Sequence, residues 1–289
     1  MIRATHTTTY LYSEPVSICH TEVHLTPRAG PHQRLLEHSI SVEPTPISVS
    51  ARKDYFGNDV TYFSIEEPHQ TLTMTAESRL ELIEAPSVEP RATPPWEEVS
   101  AAARRHADAA GFESYPFVLE SPRVAGGPEF AAYAAQSFEA HRPILDAALD
   151  LCHRIHAEFH YDRRATTVST PVAEVLESRR GVCQDFAHFM IACLRSLGVP
   201  ARYVSGYLAG DDMIGNEASH AWVSVFCPGA GWIDLDPTND SLANGHHITL
   251  AWGRDYSDVT PLKGVVFGGG THMLDVSVDV AAIDEASAL

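Results

Sequence analysis

The stretch SRRGVCQDFAHFMIACLRSLGVP, Ser178 to Pro200, decides the reading of the fold. A helix that begins at Val182 or Cys183 places Phe186, Met190, Cys193, Leu194 and Leu197 on one apolar stripe, and Gly198 with Pro200 beyond it ends that helix. Cys183 then sits in the first turn, where unpaired backbone N–H groups and the positive end of the helix dipole favour a thiolate over a thiol. Cys193, mid-stripe in the same helix, reads as a small buried hydrophobe, as do Cys152 and Cys227.

Working downstream, RYVSGYL (Arg202 to Leu208), HAWVSVF (His220 to Phe226) and GWIDLDP (Gly231 to Pro237) have the β-branched and aromatic content of a buried sheet. Nucleophilic catalysis by cysteine needs a histidine within hydrogen-bond reach and a third group that fixes the imidazole tautomer. His220 follows Cys183 by 37 positions and an aspartate follows His220 by 16, at Asp236. A helix packed by its N-terminus against two neighbouring antiparallel strands brings such side chains together. Asp234 and Asp236 share a strand face with Trp232, so alternation does not choose between them. His188 lies five helical steps from Cys183, ~140° around the helix, which excludes it as the base. The adjacent His246 and His247 point to opposite faces of a strand and make a poor chelating pair.

Upstream, helical patterns run from Trp96 to Ala110, Glu129 to His141 and Arg142 to Phe159. Ser169 and Thr170 before Pro171 start a short helix that ends at Gly181. Residues 85 to 99, APSVEPRATPPWEEV, hold four prolines and no periodicity, the mark of a linker. The first 86 residues read as antiparallel β. Leu36, His38, Ile40 and Val42 alternate with polar residues, Leu72, Met74, Ala76, Leu80 and Leu82 share a face, and Gly57-Asn58-Asp59 marks a hairpin.

Charge and cysteine usage bound the function. A formal charge of −18 repels nucleic acid and anionic membrane surfaces. Residues 203–289 carry 12 acidic and two basic residues, Arg254 and Lys263. That excess serves solubility, and it also predicts that a site there attracts amines and cationic peptides. No run approaches the roughly 18 apolar residues of a membrane span, and five scattered cysteines in a chain without an apolar leader read as reduced thiols, which predicts a cytoplasmic protein.

GVCQDFAHFMIACLRSLGVPARYVSGYL, SHAWVSVF and GWIDLDPTN together resemble the core of the transglutaminase-like superfamily of thiol acyltransferases and cysteine proteases. THTTTYLYSEPV, LTPR and DYFGNDVTYFSIEEPH resemble the β-rich N-terminal region of its bacterial members, and HHITLAWGRDYSDVTPLKGV resembles the end of the core. The resemblance implies an α+β, papain-like fold in which a cysteine-bearing helix packs on an antiparallel sheet, preceded by a small all-β domain. The boundaries expected are 1–86 for the β domain, 87–99 for the linker, 100–270 for the catalytic core and 271–289 for a C-terminal strand and tail. By motif position Cys183 resembles the family nucleophile, His220 its base and Asp236 its histidine-orienting acid. The family's side-chain oxyanion donor has no clear motif here, and Tyr161 and Gln184 are the candidates.

The function expected is attack of a thiolate on a peptide or glutamine-type amide, a thioester intermediate, and hydrolysis. Passage of the acyl group to an amine, as in a transglutaminase or peptide ligase, is the alternative, and a non-catalytic binding module the alternative of another class. No cofactor and no metal are expected, and no nucleic-acid or membrane partner.

Overall fold

The computed structural model describes residues 1–84, 87–105, 109–210, 213–216, 218–243 and 245–283. Five strands open the chain: β1 (Ile2–Val23), β2 (Gln33–Glu43), β3 (Ser48–Lys53), β4 (Asp59–Ile65) and β5 (His69–Leu82). Helices α1 (Trp96–Arg105), α2 (Ala109–Ser114), α3 (Pro128–Ala134) and α4 (Ile144–Glu158) follow, then β6 (His160–Tyr161), α5 (Val172–Ser178), β7 (Arg180–Gly181) and α6 (Cys183–Ser196). The remainder is β8 (Ala201–Leu208), β9 (His220–Cys227), β10 (Gly231–Asp236), β11 (Ser241–Leu242), β12 (His247–Gly253), β13 (Leu262–Gly268) and β14 (His272–Ala282). The fold is α+β, as expected, and no helix among the described residues is long and apolar enough to cross a membrane.

The N-terminal sheet runs β2-β5-β1-β4-β3, with β13 and β14 added along β1. β1 is its axis: the first half pairs with β5 and β14, the second half with β4 and β13. Residues 262–268, inside the expected 100–270 span, pair with β1 in the N-terminal sheet. A 22-residue strand exposes two long rows of peptide groups, and the end of the chain satisfies one of them. Residues 284–289 of the expected tail lie outside the described residues. Leu36 departs from the expected alternation and is exposed, because a bulge between Leu35 and Glu37 rotates it off the buried face.

Several helix ends also differ. The pattern over 129–141 yields only α3, Pro128–Ala134, and α4 starts at Ile144, two residues later than its pattern, with Pro143 as the N-cap. α5 stops at Arg179, which takes the left-handed conformation expected of a glycine (φ 52°). Gly181 is needed for space instead, since a Cβ there would lie 2.6 Å from the Asp185 carboxylate.

The second sheet is antiparallel in the order β11-β10-β9-β8-β12. α6 packs on β8 and β9, and it is buried on every side from Asp185 to Arg195, not along one stripe. α3, α4 and α5 enclose the rest of it, so its polar residues need internal partners. Arg195, for example, donates to the carbonyls of Phe117, Leu119, Ala201 and Arg254.

The two sheets are joined by side chains that imitate a strand. Gln33 donates to the Thr249 carbonyl (2.7 Å) and accepts from its N–H (2.8 Å). Asn58 does the same at Trp252, at 2.9 and 3.0 Å. These amides close the free edge of β12. Tyr207, Ile248 and Leu250 of the second sheet share one apolar cluster with Val16, Phe63 and Met74. Arg28, Trp252, Arg202 and Trp232 stack in alternation across the junction, with cation to ring distances of 3.5, 4.1 and 3.8 Å.

Candidate active site

Cys183 is the first residue of α6 and the one partly exposed cysteine; Cys19, Cys152, Cys193 and Cys227 are free and buried. The turn ahead of it is fixed from both sides. Asp185 accepts from the backbone N–H of Val182 (2.9 Å) and from Thr166 Oγ1 (2.6 Å), and burial raises its pKa against those two bonds. One residue earlier, β7 pairs in parallel with β6, setting Tyr161 opposite Gly181.

His220 opens β9 and Asp236 closes β10, and antiparallel pairing of these strands sets the two side by side. His220 Nε2 lies 2.8 Å from Asp236 Oδ2, and both side chains are fully buried. A carboxylate only accepts, so Nε2 carries the proton. Nδ1 is buried without a formed hydrogen bond. Burial pushes the imidazole pKa down, but the charge of the neighbouring Cys183 sulfur and the bond to Asp236 outweigh it and hold it up at about 10. Asp236 is held far below the usual carboxylate range: burial opposes ionisation, and hydrogen bonds from His220 and His247 overcome it.

Asp236 is saturated with donors. Oδ2 also receives His247 Nε2 (3.2 Å) and Asn239 Nδ2 (2.8 Å), while Oδ1 receives the N–H groups of Thr238 (2.9 Å) and Asn239 (3.3 Å). Sequence reasoning missed His247 and Asn239. The alternation that makes His246 and His247 a poor metal pair turns His247 inward to Asp236, while His246 bonds the Ala209 carbonyl. Asn239 also pairs with the backbone of Ile214, at 2.9 and 3.2 Å. The next residue, Gly215 (φ 95°), approaches His220 so closely that a Cβ would sit 2.5 Å from Nδ1.

The other candidates fall elsewhere. Asp234 accepts from Trp222 Nε1 at 3.0 Å and takes no part in the His220 network. His188 is buried, accepts from the Tyr256 N–H (3.2 Å), and has its pKa lowered to about 3 by burial. Gln184 donates to the Val168 carbonyl at 3.3 Å. Tyr161 stands edge-on to Phe186 and lines a cavity of about 660 Å³, together with Phe159, Phe186, Met213, Gly215 and Thr238. Among the described residues no group of three or more His, Cys, Asp or Glu side chains is gathered to hold a metal ion.

Comparison with known proteins follows the same division. Residues 2–81 match the bacterial transglutaminase-like N-terminal region, and residues 131–237 match the transglutaminase-like superfamily. An uncharacterized protein of Mycobacterium tuberculosis is 40% identical over 296 residues, covering 98% of this chain and 93% of its own. A protein-glutamine gamma-glutamyltransferase of Pseudomonas aeruginosa is 28% identical over 158 residues, half of this chain and 24% of that one. A Cytophaga hutchinsonii crystal structure, of a protein described as a candidate cysteine protease, superposes with a TM-score of 0.76 at 21% identity, covering 98% of this chain and 91% of the other.

Proposed function

Because the chain belongs to the transglutaminase-like superfamily, in the bacterial form with a β-rich region ahead of the core, we propose that it cleaves a peptide or glutamine-type amide through Cys183, His220 and Asp236. The observation that carries this reading is the 2.8 Å bond from His220 Nε2 to Asp236, which leaves Nδ1 for proton exchange beside the first residue of α6. Cys183 Sγ attacks the carbonyl carbon, and the oxyanion forms against the Cys183 N–H, with the Tyr161 hydroxyl as the side-chain donor. The C–N bond breaks as His220 Nδ1 gives its proton to the departing amine, leaving a thioester. Water then attacks, returns a proton to Nδ1, and releases the acid and the thiolate. Asp236 keeps its charge throughout and holds the tautomer.

Hydrolysis is favoured because the Cys183 residue is partly exposed, so water reaches the thioester. Transfer to an amine is the second reading, favoured by the Pseudomonas relative's name. The test is intact-mass analysis of products from a panel of peptide amides, with and without a primary amine, from about pH 6 to 9. Hydrolysed product is expected to dominate near neutrality, with amine-linked product gaining as free base accumulates toward a lysine-like pKa of ~10.4. Amine-linked product in excess at neutral pH establishes a transferase, and no product from any amide removes the acyl-transfer reading. We further place the protein in the cytoplasm, which its five free cysteines support; cell fractionation checks it.

A further inference from the structure

One buried titratable side chain touches the triad without belonging to it. His247 opens β12 and gives its one side-chain hydrogen bond among the described residues to Asp236 Oδ2, at 3.2 Å. A carboxylate only accepts, so Nε2 carries the His247 proton. Nδ1 is then an acceptor, and it is buried with no partner. An apolar side chain would fill this place without leaving a nitrogen orphaned, so packing alone does not account for a histidine.

The reach of His247 is built into the sheet. β9 and β8 lie between β10 and β12, and three strand spacings amount to roughly 14 Å. The four strands meet at one end of the sheet, where Gly206 pairs with His220 and Leu208 with His247. Gly206 leaves the room needed there. A Cβ on it would collide with the Trp222 ring and with the Ile248 carbonyl. Trp222, fully buried, lies across this gap against both imidazoles: it stacks on His220 with ring centres 6.2 Å apart and takes His247 edge-on at 5.0 Å. Its own N–H is fixed on Asp234. The two histidine rings stand 6.5 Å apart and direct Nε2 at the same oxygen.

The two oxygens of Asp236 are held differently. Oδ1 is fixed by backbone, the N–H groups of Thr238 and Asn239, whereas Oδ2 depends on side chains alone. Burial opposes the charge on this carboxylate, and the bonds from His220 and His247 sustain it.

We propose that His247 is a positioning residue for the triad: with Asn239 it clamps Asp236 Oδ2 so that this oxygen stays aimed at His220 Nε2. It acts only through Asp236, and no proton of the reaction passes over it. This rests on the acyl-transfer reading for what the orientation accomplishes, and not for the clamp itself.

The test compares His247→Phe, which keeps a ring and removes the donor, with His247→Gln, whose amide nitrogen keeps a donor at a similar reach. His247→Leu replaces the phenylalanine variant should that one not fold, and urea midpoints establish folding in each. In the resting protein the His220 Nε2 proton, assigned by its loss in His220→Gln, is followed by NMR. Its exchange with water is expected to be about tenfold faster in His247→Phe and restored in His247→Gln. With a peptide amide that the unmodified protein cleaves, His247→Phe is expected to lower kcat about ten- to a hundredfold with KM within about twofold, and His247→Gln to recover most of the loss. In an Asp236→Asn background the same His247→Phe change is expected to cost less than about twofold, since the group it acts through is gone. Unchanged proton exchange in a folded His247→Phe protein, a His247→Gln protein as impaired as His247→Phe, or an undiminished loss in the Asp236→Asn background each overturns the proposal. If no amide is cleaved, the acyl-transfer reading fails, and the proton exchange still decides the role of His247.

Discussion

Asn239 Nδ2 donates to the same Asp236 oxygen that receives His220 Nε2, at 2.8 Å in both cases. Its amide also holds Ile214, so one side chain ties the carboxylate to the segment that walls the cavity. Asn239→Ala is expected to lower kcat and raise KM together, up to about a hundredfold in kcat/KM. Asn239→Asp keeps the size but sets a second carboxylate beside Asp236, and should move the His220 pKa further up, read from its ring resonances.

Iodoacetamide at neutral pH should label Cys183 well before the other cysteines. Burial pushes the thiols of Cys19, Cys152 and Cys193 up, and that of Cys227 to about 12. Peptide mapping by mass spectrometry that found Cys193 or Cys227 modified first in folded protein would contradict the assignment of the nucleophile.

Against burial, the Cys183 sulfur and Asp236 hold the His220 pKa up at about 10, above the 6.5 of a free imidazole. A raised pKa means its stabilising contribution is complete below about pH 6.5 and is lost as the pH rises through about 10. Urea denaturation across that window should therefore show a steeper loss of stability in the unmodified protein than in His220→Gln. In Cys183→Ala the imidazole should titrate at lower pH, since the sulfur charge is the largest influence holding it up.

Asp236→Asn should depress turnover by about 10⁴, because the amide leaves the imidazole in the wrong tautomer. Asp234→Asn should leave kcat within a few-fold, since Asp234 meets Trp222 and not His220. Steady-state kinetics in the reverse order would shift the site by two residues.

Gln33→Ala leaves the Thr249 N–H without its partner and its carbonyl with the Arg28 N–H alone. A loss of about 1–3 kcal/mol is expected from the urea midpoint, with kcat unchanged below the unfolding temperature. Loss of kcat without loss of stability would assign Gln33 to the site instead.

The places of Cys183, His220 and Asp236 at element ends are legible because the periods and breaker residues there are local, while alternation leaves Asp234 and Asp236 open and only the family resemblance points to Asp236. Asn239 and His247 are not legible, since their roles arise from the turn after β10 and from the pairing of β12 with β8. α6 misled in degree: its apolar stripe is real, but Asp185, His188 and Arg195 are buried by partners that lie far away in sequence.

The pairing of β1 with β14 joins residues such as Thr5 and Asp279, about as distant along the chain as two strands here can be. During synthesis one edge of β1 has no partner until β14 has left the ribosome, and closing so long a loop is slow. Over that interval the open edge is a template for intermolecular pairing, so overproduction yield should depend on translation speed and chaperone supply more than on the final stability of the protein.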